Sequence, residues 1–412
     1  MRRWQLGVGC LLAAGLIGCQ EDLATPGDCP ALCPGDRIVV RDTVIAAIEG
    51  SDSSFVGYTP RNARQVLLVS DGLAAGEYRS FVVFNKHSRD SVLVDGTNRV
   101  FEIDTVAISF RVEVRDTAVK NLRLLFYRVP ITTDTTVTFE ALDALLNPAN
   151  LLDSAAMNDT LKAGRVEALF VGDRLASVLP PPEDSGRFGV GLRVRADSPT
   201  GVRIALDPLL SGSGPLFEYR GTALAVADTS KRRQKLQVRL ESVARTGYVQ
   251  NTDLASNGDP NLLYLGGPQA SRALLRFSVP SFIRDTAQIV RATLLLTPAT
   301  PLTGLANTRV RDSVGAVGLV VDLGAKSPTN SFGFIPRGLL AEGTSNVAVI
   351  DVYSLVATWQ SNGGAPQAIF LLHSDETNGG GFMQPVFYST RSPIGPPQLR
   401  ITYGIPTKPG QP

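Results

Sequence analysis

The sequence predicts an all-β protein: two tandem antiparallel β-sandwiches of jelly-roll type, with a few short helices. Three observations predict it. Two-residue alternation of β-branched and aromatic residues against polar ones runs through most of the chain after residue 42. Turn formers are frequent, with 39 glycines and 27 prolines among 412 residues. The order of strand-like runs in the first half also recurs in the second.

The chain opens with a leader. Arg2 and Arg3 precede an apolar run, Leu6–Ile17, that is too short to span a bilayer. Leu16-Ile17-Gly18-Cys19 is similar to a bacterial lipobox, which makes 1–18 the expected signal peptide and Cys19 the lipidated residue. Gln20, rather than Asp, follows the cysteine, the arrangement expected of an outer-membrane lipoprotein. Several acyl chains on Cys19 would hold the protein on a membrane, since one chain binds only marginally. Residues 19–41 are rich in proline and glycine and read as a tether. Cys29 and Cys33 within it are expected as a disulfide closing a very small loop, or as two thiols. A metal held by this pair would lack nearby histidines or further cysteines.

Strand-like runs then follow at Thr43–Ile48, Gln65–Val69, Ser80–Phe84, Val106–Val114, Asn121–Val129, Arg165–Val171, Gly186–Arg195 and Gly201–Leu206. Thr138–Leu146 and Asp173–Leu179 are the helical exceptions. In the second half, Gly247-Tyr248, Asn261–Tyr264, Arg272–Phe277, Ile289–Leu296, Ala365–Glu376 and Pro397–Tyr403 repeat the order of Gly57-Tyr58, Val66–Val69, Arg79–Phe84, Ile108–Val114, Gly186–Asp197 and Pro215–Tyr219. Near the C-terminus, Val352, Leu355, Val356 and Trp359 fall at i, i+3, i+4 and i+7, the buried stripe of a short helix. Asn362-Gly363-Gly364 and Pro366 end that helix, and strands are expected at Gln367–His373, Gln384–Thr390 and Gln398–Tyr403. The expected division is therefore 42–222 for the first sandwich, 236–404 for the second and 405–412 for a disordered tail. The linker between the sandwiches holds the basic run Lys231–Lys235, read as a solvated charge cluster.

The second half resembles the DNRLRE-domain family of surface β-sandwich modules, some of which bind carbohydrate. The matching stretches are Gly247-Tyr248-Val249-Gln250-Asn251 with Asn257-Gly258-Asp259, Arg272–Phe277, Ile289–Leu296, Ile350–Trp359, Phe387–Arg391 and Pro397–Tyr403. They span about residues 240–404 in the family's order, though the string that names the family is absent. The resemblance implies a jelly-roll-like module in a surface protein.

Charge narrows the function. The whole chain has 40 Lys+Arg against 38 Asp+Glu, and removing Arg2 and Arg3 with the leader leaves 40 − 2 = 38 against 38. Nucleic-acid binding needs a basic surface, so it is not expected. His87 and His373 are the only histidines, and no Gly-x-Ser-x-Gly elbow, His-Glu-x-x-His helix or phosphate-binding glycine loop occurs. No catalytic residues are expected. Trp359 completes a helix stripe and reads as core. Tyr248, Tyr264 and Tyr388, like Tyr58 and Tyr78, lie at strand ends where an aromatic face could stack a sugar. Asn251, Asp253, Asn257 and Asp259 gather oxygens in one loop, a candidate site for a structural calcium, and Asp375–Gly379 is a second of the same kind. The expectation is a non-catalytic, lipid-anchored envelope protein that binds polysaccharide. The alternative is a structural lipoprotein docking an envelope protein; a polysaccharide hydrolase or lyase is a more distant reading.

Overall fold

The computed structural model describes residues 38–58, 65–73, 76–85, 90–180, 184, 186–206, 214–224, 233–240, 243–251, 259–267, 270–305, 308, 312–330, 335–341, 343–374, 376 and 381–406. The leader, Cys19, Cys29, Cys33, His87, Asp253 and Asn257 lie outside them. Among the described residues, no helix is long and apolar enough to cross a membrane.

The fold is almost wholly antiparallel β. The strands are β1 (Ile38–Ala46), β2 (Ser53–Phe55), β3 (Val66–Asp71), β4 (Tyr78–Phe84), β5 (Ser91–Val94), β6 (Thr97–Arg115), β7 (Arg123–Val129), β8 (Leu151–Ala156), β9 (Gly164–Val171), β10 (Phe188–Arg195), β11 (Thr200–Ala205) and β12 (Leu216–Ala223). They continue with β13 (Gln234–Leu240), β14 (Val243–Gln250), β15 (Leu262–Tyr264), β16 (Arg272–Arg276), β17 (Gln288–Leu296), β18 (Ser313–Leu319), β19 (Thr329–Asn330), β20 (Arg337–Leu339), β21 (Ala348–Asp351), β22 (Ala368–His373), β23 (Val386–Tyr388) and β24 (Gln398–Pro406). Among the described residues three α-helices interrupt them: α1 (Phe139–Leu145), α2 (Ser281–Asp285) and α3 (Tyr353–Ser361).

The helices arise from local chemistry. Thr138 caps α1 by accepting a hydrogen bond from the Ala141 amide at 3.2 Å, and Leu142 and Leu146 lie against Phe81 and Val83 on the sheet below. α3 buries Leu355, Val356 and Trp359, the stripe its sequence predicted, and Trp359 lies 6.4 Å from the Phe277 ring. The run expected as helical at Asp173–Leu179 forms a 3-10 turn over Gly172–Ser177. α2 was not expected: its five residues carry no periodic pattern beyond the single buried Ile283.

Two sandwiches form, each with its own core. In the first, the order β13-β12-β6-β11-β3, with β9 also beside β6, faces the order β14-β4-β10-β7-β8. Leu67, Phe84, Phe110, Phe126, Phe170, Val190 and Phe217 meet between these sheets. In the second, β1-β24-β17-β21 faces β19-β18-β22-β16-β2, with β20 beside β18. Leu275, Leu294, Val314, Ile350, Leu371, Phe387 and Leu399 fill that core. Val66, Leu68, Tyr78 and Tyr248 of the first sandwich pack with Leu305 and Phe382 of the second.

Strand by strand, the repeat read from the sequence is a repeat of topology. The order β14-β4-β10-β7-β8 in the first sandwich matches β2-β16-β22-β18-β20 in the second. Likewise β13-β12-β6-β9 matches β1-β24-β17-β21, and the pair β3–β11 matches β15–β23. Repeat one is thus β1–β12 and repeat two β13–β24, with β5 and β19 as extras.

The first two strands of each repeat, however, sit in the other repeat's sandwich. β1 runs beside β24 for nine residues, from Ile38↔Pro406 to Ala46↔Gln398, and β2 pairs with β16. Conversely, β13 pairs with β12 from Phe217↔Leu240 to Ala223↔Gln234, and β14 pairs with β4. The repeats have exchanged their first two strands, one for each sheet of the sandwich they complete.

This exchange corrects the expected boundaries. The first sandwich is built from Val66 to Gln250 rather than from 42–222. The second joins residues 38–55 to 262–406 rather than occupying 236–404. Residues 38–41, expected in the tether, belong to β1, and Ile405 and Pro406 extend β24 into the expected tail. Lys235, expected in a linker, lies in β13.

Candidate binding faces

Outward-facing residues of the exchanged sheets form two clefts at equivalent positions. The first crosses β9, β6, β12 and β13. Along these strands the inward residues (Val166, Ile108, Phe217, Tyr219) enter the core, so their alternate neighbours face out. The outward set is Arg165, Glu167, Ser109, Glu218, Arg220, Gln237 and Arg239, around a cleft of about 210 Å³.

Glu218 organises this cleft. It is nearly fully buried on the sheet surface, because Arg220 and Arg239 close over it. Arg220 Nε donates to Oε1 at 2.5 Å and Arg239 Nε donates to Oε2 at 3.1 Å. Arg220 also reaches Glu167 Oε1 at 2.8 Å, and Arg165 donates to Ser109 Oγ at 2.6 Å. Burial pushes the Glu218 carboxyl up, but the hydrogen bonds from Arg220, Gln237 and Arg239 outweigh it and hold the group below its usual range. Glu218 stays ionised and fixes the arginine forks. A proton-donating carboxyl needs a shift in the opposite direction.

The second cleft, about 330 Å³, crosses β1, β24, β17 and β21 and is lined by Asp42, Arg291, Thr293, Leu295, Val349, Arg400 and Thr402. Here the exchanged strand supplies the acid, where β13 supplied Arg239 in the first: Arg400 Nη2 donates to Asp42 Oδ2 at 2.9 Å, and Thr402 Oγ1 donates to Oδ1 at 2.5 Å. The Thr402 hydroxyl, then Arg400, hold the Asp42 carboxyl below its ordinary range. Arg291 lies exposed beside them and adds positive charge to the pair. Each cleft therefore has one more arginine than carboxylate: three against two in the first, two against one in the second.

The sequence-predicted residues scatter elsewhere. Tyr248 is 2% exposed and lies 6.0 Å from the Tyr78 ring, between the sandwiches, so it offers no face to a sugar. Tyr78 is likewise buried against Phe382. Tyr58 donates its hydroxyl to the Ala325 carbonyl, and Arg272 covers its ring at 4.0 Å. Tyr264 and Tyr388 are brought together. The registers Leu262↔Tyr388 and Tyr264↔Val386 put both on one face of β15–β23, diagonal neighbours opposite the buried Leu263 and Phe387. Both are half-buried.

Of the candidate calcium ligands, Asn251 Oδ1 accepts from the Glu77 amide at 2.9 Å, and Asp259 Oδ1 accepts from the amide and side chain of Asn261. These two carboxamide and carboxylate oxygens tie down chain turns. Among the described residues, no group of three or more metal-ligating side chains occurs. In the second candidate loop, Glu376 pairs with Arg272. His373 is fully buried in β22, with Nε2 3.8 Å from Asp312.

No clue from the sequence singled out the two clefts. Their signal is a charged residue at each outward position of an otherwise apolar strand, as in Leu216-Phe217-Glu218-Tyr219-Arg220. The partners lie more than fifty residues away in Glu167 or across the exchange in Arg400, so spacing alone does not reveal them.

No protein-family model matches the chain, and no curated protein matches it. Among solved structures, the capsid of the Macrobrachium rosenbergii nodavirus aligns over 93% of this chain and 94% of its own, at 9% identity and a TM-score of 0.14. The T=1 particle of infectious bursal virus aligns over 93% and 82%, at 12% identity and a TM-score of 0.12. TM-scores this low do not indicate a shared fold.

Proposed function

We propose that the protein is a lipid-anchored, non-catalytic component of the cell envelope that binds polysaccharide along the outer sheet faces of its two sandwiches. The recurrence of an arginine-rich cleft at the same place in both repeats carries this reading. The charges do not match position for position, Glu218 and Arg400 sharing one register position, yet arginines outnumber carboxylates on the same face of both repeats.

The chemistry suits an extended chain of sugars. Arginine forks present paired donors to hydroxyls or to a carboxylate, the Ser109, Thr293 and Thr402 hydroxyls add exchangeable partners, and sheet faces are flat enough to follow a polymer. Tyr264 and Tyr388 supply adjacent aromatic surface on the second sandwich. Two such faces on one chain would add avidity without new contacts. The lipobox-like Leu16–Cys19 supports the membrane anchor, and the depressed carboxyl of Glu218 supports binding over acid catalysis.

Titration calorimetry of the full chain against uronate-bearing, sulfated and neutral polysaccharides tests the reading. Binding is expected for at least one of them. In R220A/R239A and R291A/R400A, loss of charge-assisted hydrogen bonds of about 1.5–3 kcal/mol each should weaken affinity by about tenfold or more per cleft. Absence of binding to every polysaccharide, or unchanged affinity in both double variants, contradicts it.

A further inference from the structure

The two clefts occupy the same place in their repeats, yet they offer a ligand different charge. In the first, every arginine is already bonded: Arg220 to Glu218 and Glu167, Arg239 to Glu218, and Arg165 to the Ser109 hydroxyl. In the second, Arg400 is bonded to Asp42, whereas Arg291 is exposed and makes no hydrogen bond or ion pair among the described residues. The second cleft is also the larger, about 330 Å³ against about 210 Å³. Of the two, it alone reaches the size usual for small-molecule sites, about 300–1,000 Å³.

A β-bulge turns Arg291 into this cleft. β17 runs beside β24 as Ile289↔Tyr403 and then Arg291↔Thr402, which leaves Val290 as an extra residue. Ile289 lies in the core, so in an unbroken strand residue 291 would point the same way. The extra residue reverses that phase, and Ala292 and Leu294 take the core positions instead. β6 carries the same bulge against β12, with Asp104 extra between Ile103 and Thr105. Thr105, opposite Arg220, therefore matches Arg291, opposite Thr402. Both repeats aim a residue outward here, and the second makes it a cation.

The registers place Asp42, Thr402 and Arg291 in one row across β1, β24 and β17. Arg400 sits one row on, diagonal to Arg291 at about 7–8 Å. Thr402 and Arg400 keep Asp42 ionised at neutral pH, so the Arg400 charge is balanced and that of Arg291 is not. A carboxylate accepts both donors of a guanidinium fork, and a sulfate does so with two of its oxygens. We propose that the second cleft reads the charge of the polysaccharide, with Arg291 taking the carboxylate or sulfate of an acidic sugar, while the engaged arginines of the first cleft bind sugar hydroxyls. The inference rests on the polysaccharide-binding reading above.

Titration calorimetry of the full chain with two matched pairs of polymers tests it: polygalacturonate against its methyl ester, and dextran sulfate against dextran. Within each pair the backbone is shared and the charge differs. Tighter binding of the acidic member is expected in at least one pair, and the pair that responds tells carboxylate from sulfate. Arg291→Gln should weaken that binding about tenfold, and shift the affinity for the neutral member by no more than about twofold. Arg291→Lys keeps the charge without the fork and should recover part of the loss. R220A/R239A should weaken acidic and neutral members by the same factor. Equal affinity for both members of each pair overturns the proposal and leaves polysaccharide binding standing. So does an Arg291→Gln effect that is the same, or absent, on acidic and neutral members. Failure of all four polymers to bind counts instead against polysaccharide binding itself, and the proposal falls with it.

Discussion

A chain cut to residues 65–250 is expected to fold and melt cooperatively, whereas one cut to 42–222 is not. The shorter-sighted cut follows the sequence repeat, yet it removes β13 and β14, which close the first sandwich on both sheets. Without them the edges of β12 and β4 lose their ladders, and the side chains of Tyr248 and Val249, both under 5% exposed, are gone. Each such burial contributes about 1.5–3 kcal/mol, and with the half-buried Leu236 and Val238 on β13 the loss approaches the whole margin of about 5–15 kcal/mol that a domain has. The 65–250 fragment keeps these strands and gives up the Asn251–Glu77 hydrogen bonds and the Leu305 and Phe382 contacts with Val66, Leu68, Tyr78 and Tyr248. Circular dichroism through a thermal ramp, at low concentration to limit association through that patch, separates the two fragments. A sharp transition in 42–222 equal to that of 65–250 would contradict the exchange.

The second large effect is expected from Asp52→Ala. Asp52 is 2% exposed and satisfies three donors, two of them on Thr390, so its removal leaves a buried amide and hydroxyl without their acceptor. Orphaned buried groups cost about 1–3 kcal/mol each, and the ion pair with the partly exposed Arg391 adds less. A loss of about 3 kcal/mol should lower the second sandwich's melting temperature by about 6–12 °C and leave the first sandwich's transition in place. Arg391→Ala should cost about a third as much, because Thr390 keeps its bonds. Differential scanning calorimetry resolves the two transitions; a shift of both by the same amount would place Asp52 outside the anchorage of β1 and β2.

Much of this fold was legible in the sequence because its signals are local. Alternation located the strands, Thr138 and the 352–359 stripe located helices, and the recurrence of Arg79–Phe84 as Arg272–Phe277 identified matching strands β4 and β16. What the sequence did not reveal is which sandwich each opening pair of strands enters. The period-two pattern of β1 would bury Ile45 equally well beside β12 or β24, so the choice depends on chain connections and on anchors such as Asp52, which reads as an ordinary turn residue. The same non-locality hid the clefts. Their carboxylates and arginines meet across strands that the expected boundaries assigned to different sandwiches, as Asp42 and Arg400 do. Tyr248 misled for a related reason: its strand β14 was assigned to the second sandwich, and its packing against Tyr78 between the sandwiches was not visible. Trp359, whose place on the stripe is set by its own short helix, read correctly as core.

One disulfide competition tests the exchange most directly. A single chain, with its four native cysteines replaced by serine, carries V44C together with R400C on β24 and E218C, the position of β12 that matches 400 in the first repeat. Oxidised in dilute solution and digested, it is predicted to yield the cystine joining positions 44 and 400. A cystine joining 44 and 218 would show each opening strand at home in its own repeat, and the account would be wrong.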